Sequence, residues 1–292
     1  MDNPLISICV PTFNGEQYIT DALKSAINQT YKKIEIIVSD DASVDCTLDI
    51  VKDFKNRTTI PIHLFNHLPN GIGANWNNCI THSSGDYIKF LFQDDVLKPN
   101  CIEKMLEVLQ NDETIGLVAC QRTFLYEQEY MTKELAKWIE TFGNLQKDLK
   151  LINRGNYQVL DKSFFGSKQF LKSPMNKIGE PTAVLFKKSI IEEIGYFRED
   201  LKQILDYEFY YRVLSNAEIA ILPETLVYFR LHPKQTSVYN SENYDEDEDD
   251  FSKILYQDYM GFLDNYTKIH LRKKYCWFYK FYYYLKSYSN GK

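Results

Sequence analysis

The chain has 292 residues, a formal net charge of −6, and 44% hydrophobic and 25% charged residues, which excludes disordered and fibrous classes and leaves room for one large domain or two small ones. The charge is uneven: seven acidic residues lie between Glu242 and Asp250, the remaining 33 balance 34 basic ones, and beyond Asp264 come seven Lys or Arg and no acid. There is no apolar run of about 18 residues, so no membrane-spanning helix is expected, and the body is not basic enough for a duplex-DNA binder.

The start, Met1-Asp2-Asn3-Pro4, has neither a basic region nor a long apolar stretch, so no signal peptide is expected. Six scattered cysteines without a Cys-x-x-Cys pair read as free thiols of a reducing cytosol.

In chain order, Leu5 to Val10 reads as a buried strand, and Glu16 to Asn28 as a helix with Tyr18, Ala22, Leu23, Ala26 and Ile27 on one face. Ile34 to Val38 is a second strand, stopped by Ser39-Asp40-Asp41, and Ser43 can cap a helix running through Phe54. Ile62 to Phe65 is a third strand. Asn70 to Gly73 is a loop leading to a helix over 75–82, and Tyr87 to Phe92 is a fourth strand. A helix from Pro99 to Leu109 and a strand from Gly116 to Cys120 follow. Residues 126–179 are less regular, with helical character over 130–150. Thr182 to Phe186 reads as a strand, Lys188 to Ile194 and Asp206 to Ser215 as helices, and Ile219 to Leu222 and Leu226 to Leu231 as two strands. Residues 233–250 are expected to be an acidic linker, followed by a helix over 251–263 and a basic tail with nine aromatics between Tyr275 and Tyr288.

Alternating strands and helices predict a mostly parallel sheet covered on both faces, with ligands beyond the strands' carboxyl ends. Three polar clusters fall there: Thr12-Phe13-Asn14, Asp40-Asp41 and Gln93-Asp94-Asp95. Each aspartate pair taken alone is better read as helix-capping chemistry. Adjacent carboxylates also suit a divalent cation shared with substrate phosphates, and a carboxylate after the second strand suits a nucleobase N–H. The loop after the first strand lacks the Gly-x-Gly-x-x-Gly of a dinucleotide-binding dehydrogenase and the Gly-rich basic loop of a pyrophosphorylase.

Together, Pro11-Thr-Phe-Asn14, Asp40-Asp-Ala-Ser43, Asn70-Gly-Ile-Gly-Ala-Asn-Trp-Asn77, Gly85-Asp-Tyr-Ile88 and Gln93-Asp-Asp95 resemble, in order and spacing over residues 5–235, family 2 glycosyltransferases. The resemblance implies a GT-A type, mostly parallel, Rossmann-like α/β sheet flanked by helices, here with a helical, aromatic-rich C-terminal extension. The implied organisation is a domain over 1–232, with a nucleotide-binding half over 1–120 and an acceptor-binding half over 121–232. A linker over 233–250 and a tail over 251–292 follow.

It also implies metal-dependent, inverting transfer of a sugar, hexosyltransferase-like, from a nucleotide-sugar such as a UDP-sugar. The acceptor would be a hydroxyl of a saccharide or lipid-linked saccharide, in surface polysaccharide biosynthesis. The implied nucleotide-binding residues are Pro11, Thr12, Phe13, Asn14, Glu16, Asp41, Asn75 and Asp94. Asp95 is the implied main ligand of Mn²⁺ or Mg²⁺, with Asp94 and His232 as further ligands. Gln93 departs from the family's usual Asp-x-Asp opening.

Asp206, in Asp206-Tyr-Glu-Phe-Tyr-Tyr-Arg212, matches the family's catalytic base, although Leu205 stands where the family has Glu; Glu208 is the rival. Glu180-Pro-Thr182 resembles a segment near the acceptor site, and reads equally as a turn. The tail has two open readings, contact with an anionic membrane at its cytoplasmic face or a homodimer. The non-enzymatic alternative for the whole is a degenerate glycan-binding or scaffold protein.

Overall fold

The computed structural model describes residues 3–235 and 244–282, with backbone alone for 244–246 and 248. Residues 236–243 of the expected linker and 283–292 of the expected tail lie outside the described residues. The β-branched runs Ile6–Thr12 (β1) and Ile34–Asp40 (β2) are buried at all seven positions each, as strands must be when helices cover both faces of a sheet. They pair in parallel, with β3 (Ile62–Asn66) beyond β2 and β4 (Tyr87–Phe90) beyond β1. The crossovers are α1 (Ile19–Ile27), α2 (Thr47–Arg57) and α3 (Ile72–His82).

The second half adds β5 (Val96–Leu97), α4 (Cys101–Asn111), β6 (Ile115–Leu125), α5 (Lys133–Phe142), β7 (Ile152–Asn153), β8 (Gln158–Leu160), β9 (Val184–Lys187), α6 (Ile190–Ile194), α7 (Leu205–Asn216) and β10 (Glu218–Arg230). The sheet order is β3-β2-β1-β4-β9-β6-β10-β8-β7, with β5 on β10. β9 runs antiparallel between β4 and β6, while β6 and β10 are parallel. The mostly parallel sheet flanked by helices is the fold expected from sequence.

The period-two alternation of β1 divides the core. Ile6, Ile8 and Val10 join one apolar cluster with α1 and α4, while Cys9 joins another with α3, α7 and the C-terminal helices α8 (Tyr244–Asp258) and α9 (Asn265–Tyr275).

Among the elements that differ from the sequence reading, four have a plain local description. The two expected last strands are one, β10, whose register shifts between Leu222 and Val227; Pro223 lacks an N–H and cannot keep the ladder regular. A 3₁₀ turn, Pro181–Ala183, precedes β9 where strand was expected. The expected 130–150 helix is only α5, Lys133–Phe142. The acidic segment is helical from Tyr244 rather than a linker to 250. Carboxylates in a first helical turn are favoured by the helix dipole, and Phe251, Ile254 and Leu255 bury the helix against the core.

Candidate active site

The carboxyl ends of β1 and β2 meet first. Asp40 is buried and fully engaged: its Oδ1 accepts from Thr12 Oγ1 at 2.9 Å and Ser43 Oγ at 2.6 Å, and its Oδ2 from Ser43 N at 2.8 Å. Asp40 thus braces the loop after β2, and neither it nor Ser43 caps α2, whose N-cap is Cys46. Asp41 differs: its Oδ1 is buried without a hydrogen-bond partner, and the nearest cation-forming group, His67 Nδ1, lies 3.6 Å away. An unpartnered buried carboxylate oxygen is costly unless a ligand completes it. His67 Nε2 lies 3.1 Å from Asn75 Oδ1, and Asn75 Nδ2 donates to Thr12 O at 3.3 Å. The structure therefore groups Asp41, Asn75 and Thr12 around His67, which no motif signalled.

The remaining residues of the first loop hold one another. Asn14, at φ +46°, donates its N–H to Ser43 Oγ at 2.8 Å and accepts from Val44 N at 2.9 Å through Oδ1. Glu16 Oε2 accepts from Cys46 N at 2.9 Å. Pro11 is buried within β1, and Phe13 is exposed. Asn14 and Glu16 thus brace the loop, and Phe13 is left facing solvent.

Gln93 explains its own departure from the family pattern. Its Oε1 accepts from Phe13 N at 2.9 Å and its Nε2 donates to Phe13 O at 3.0 Å. An ionised carboxylate at this position could accept but not donate. The side chain lies so close that a Cβ on Gly15 would clash with Gln93 Oε1.

The two aspartates that follow turn in different directions. Asp95 is wholly buried: Oδ2 accepts from Thr182 Oγ1 at 2.5 Å and Oδ1 from Arg230 N at 3.0 Å. Burial, and then the charge of Asp94, push its carboxyl well above the usual range. Asp94 is partly exposed, and its Oδ2 lies 3.0 Å from His232 Nε2. Arg230 donates from Nε to the Asp94 carbonyl at 2.8 Å and lies over the Tyr18 ring at 4.5 Å. Tyr18 in turn packs against His232, with ring centroids 4.9 Å apart. Among the described residues no group of three or more His, Cys, Asp or Glu is placed to hold a metal ion. A carboxylate and an imidazole 3.0 Å apart are nevertheless a donor pair that suits Mn²⁺ or Mg²⁺ completed by diphosphate oxygens.

Asp206 stands in the first turn of α7. Its Oδ2 accepts from Asn176 Nδ2 and its Oδ1 from Tyr207 N, both at 2.7 Å. Burial raises its carboxyl to about 7, with the Glu180 charge adding to the shift and the Tyr207 N–H and Asn176 amide opposing it. Such a carboxyl is poised to exchange a proton near neutral pH. The rival Glu208 is 1% exposed at its side chain, and both its oxygens are 2.8 Å from Arg212 nitrogens, so it is committed to a structural ion pair.

Glu180 is pinned by Arg122 at 2.5 Å, and its charge is felt by both Asp95 and Asp206. The adjacent Thr182 Oγ1 also accepts from Phe92 N at 3.1 Å. The Glu180–Thr182 turn thus ties the loop of Asp94 and Asp95 to the second half of the chain. Asn176, Glu180 and Arg122 belong to irregular sequence or to a strand, where no spacing singles them out.

Residues 7–195 match the family model Glycosyl transferase family 2, and the chain belongs to this family. It is 30% identical over 244 residues to an uncharacterized glycosyltransferase of Haemophilus influenzae, covering 83% of this chain and 71% of that one. It is 29% identical over 235 residues to an uncharacterized glycosyltransferase of Rickettsia typhi, covering 80% of this chain and 66% of that one, just under two thirds of the relative's length. Among solved structures, S. aureus TarS 1–349 in complex with UDP-GlcNAc superposes with a TM-score of 0.66 at 19% identity, covering 92% of this chain and 71% of that one. The mannosyltransferase PcManGT of Pyrobaculum calidifontis, in complex with GDP-Man and Mn²⁺, gives 0.62 at 15% identity, covering 87% and 65%. These likenesses establish the GT-A fold.

Proposed function

We propose that the protein transfers a sugar from a nucleoside diphosphate sugar, a UDP-sugar in the first instance, to a hydroxyl of a saccharide or lipid-linked saccharide, with inversion, in surface polysaccharide synthesis. The observation that carries this reading is Asp206: a carboxyl raised to about 7 and held by Asn176 and Tyr207 at the start of α7. In this reading Asp206 takes the proton of the acceptor hydroxyl as it attacks the anomeric carbon opposite the leaving diphosphate. The orphaned Asp41 Oδ1 accepts the N–H of the base. Residues 1–120 serve the nucleotide and 121–232 the acceptor.

Asp94 and His232 are the residues that would hold Mn²⁺ or Mg²⁺. The ion, when bound, supplies Lewis-acid stabilisation of the departing diphosphate. Asp95, assigned the leading ligand role from sequence, has both oxygens engaged in its buried place, so in this reading it shapes the loop that presents Asp94. The nucleotide complexes of the TarS fragment and of PcManGT support a nucleotide-sugar donor.

The test is turnover of a panel of UDP- and GDP-sugars with Mn²⁺ and with chelator. Asp206→Asn is expected to abolish transfer while keeping UDP binding. Near-full turnover by that variant would remove the reading.

The C-terminal end supports a second element, contact with an anionic membrane at its cytoplasmic face. Trp277, Phe278 and Phe281 are at least half exposed, Trp277 stacking on Phe281 and meeting Phe278 edge-on, next to Arg272, Lys273 and Lys274 in the last turn of α9. Exposed aromatics beside cations suit such a surface. Among the described residues no helix is long and apolar enough to cross a membrane. Replacing Trp277, Phe278 and Phe281 by Ser is expected to abolish co-sedimentation with phosphatidylglycerol vesicles. A change in oligomeric state instead would assign the patch to a homodimer.

A further inference from the structure

The helix that carries Asp206 has no cap of its own. Its N-cap residue is Ile204, whose side chain cannot accept a hydrogen bond, although the first N–H groups of any helix need acceptors. The three amides that lead into the helix, by contrast, share an acceptor from more than 40 residues away. Asp247 Oδ2 accepts from Lys202 N at 3.0 Å, Gln203 N at 2.5 Å and Ile204 N at 3.2 Å, and Oδ1 lies 3.2 Å from Lys202 N. Three successive amides converging on one carboxylate form an anion-binding concavity, here filled by the protein's own side chain.

Among the described side chains of the acidic run, Asp247 is the buried one. It is 2% exposed, whereas Asp249 and Asp250 face solvent and Asp249 pairs with Lys274 at 2.8 Å. A carboxylate is buried at tolerable cost only when its oxygens are satisfied, and the 202–204 amides satisfy it. The same helix grips α7 on the other side of Asp206, where Phe251 meets the Tyr207 ring edge-on at 5.3 Å. Asp206 therefore sits between two contacts made by α8, one to the amides before it and one to the residue after it.

We propose that Asp247 is a positioning residue for the catalytic base: by gathering the amides of Lys202, Gln203 and Ile204 it sets the entry of α7, and with it the place of the Asp206 carboxylate. This rests on the assignment of Asp206 as the base. The chemistry-bearing groups around Asp206 are Asn176 and Glu180 from the acceptor half and Tyr210 and Tyr211 from α7 itself. Asp247 acts through the backbone and leaves these unchanged.

The experiment compares full-length Asp247→Ala, Asp247→Asn and Asp206→Asn in the same transfer assay. Asp247→Ala is expected to lower kcat roughly ten- to a hundredfold, keep the donor KM, and move the acid limb of the kcat–pH profile downwards as Asp206 becomes hydrated. Asp247→Asn can place its amide oxygen where Oδ2 sits, and is expected to stay close to wild type. If Asp247→Ala does not fold, Asp247→Glu, which shifts the carboxylate by one methylene, is expected to show the same loss of kcat at constant donor KM. A folded Asp247→Ala or Asp247→Glu with wild-type kcat and an unmoved acid limb, alongside an inactive Asp206→Asn, overturns the proposal. An active Asp206→Asn overturns the base assignment instead.

Discussion

Asp94 Oδ2 and His232 Nε2 lie 3.0 Å apart across 138 residues of chain, while the adjacent Asp95 turns into the protein to meet Thr182. Two neighbouring carboxylates are thereby given different tasks by their surroundings: one faces a partner that can share a cation, and the other is sealed into the loop.

Asp94→Ala and His232→Ala are each expected to raise the Mn²⁺ concentration for half-maximal turnover by roughly tenfold or more, as measured by metal titration of the activity. Asp95→Asn is expected to lower Tm while leaving that concentration near the wild-type value. The opposite pattern would return the leading ligand role to Asp95.

The raised carboxyl of Asp206 fixes two pH responses. In its proposed role as base it must be ionised, so kcat is expected to fall as pH drops through about 7. For stability the sign is reversed. The folded state holds this proton up to about 7 and the unfolded state only to about 3.8, so wild-type stability declines as pH rises between these values. Asp206→Asn escapes that decline. Its Tm is expected to exceed that of wild type at pH 8, with the gap closing towards pH 4 in calorimetry.

Gln93→Glu keeps the size of the side chain but loses its amide donor and sets a carboxylate against the Phe13 carbonyl. Loss of one partnered group costs about 1–3 kcal/mol. Urea denaturation is expected to show a loss of that size, together with a higher donor KM as the 12–16 loop loosens.

Thr182→Val is nearly isosteric but removes the hydroxyl that donates to Asp95 and accepts from Phe92 N. Leaving a buried carboxylate oxygen and an amide unpaired is expected to cost about 2–3 kcal/mol or more, again read from denaturant unfolding.

Much of this was legible in the amino-acid order. Apolar runs such as Leu5 to Val10 and Ile34 to Val38 determined the buried parallel strands, because only strands covered on both faces bury every residue. Five ordered motifs identified the family and put Asp41, Asp94 and Asp95 after strands whose ends were expected to bind ligands, and a separate match singled out Asp206. The resemblance chose Asp41 over Asp40, Asp95 over Asp94 as leading ligand, and Asp206 over Glu208, but the surroundings of each could not be read from sequence, because each pair is chemically alike and differs in what folding brings near. Thr12 and Ser43 occupy Asp40, Thr182 and the Arg230 amide occupy Asp95, and Arg212 occupies Glu208. The acidic run shows the same limit. Its charge read as a solvated linker, yet the amides that receive Asp247 lie more than 40 residues earlier in the chain. Local sequence determined the strands, helices and motifs, whereas tertiary structure decided which carboxylates were satisfied internally and which were left to act, because burial and hydrogen bonding depend on neighbours that are distant along the chain.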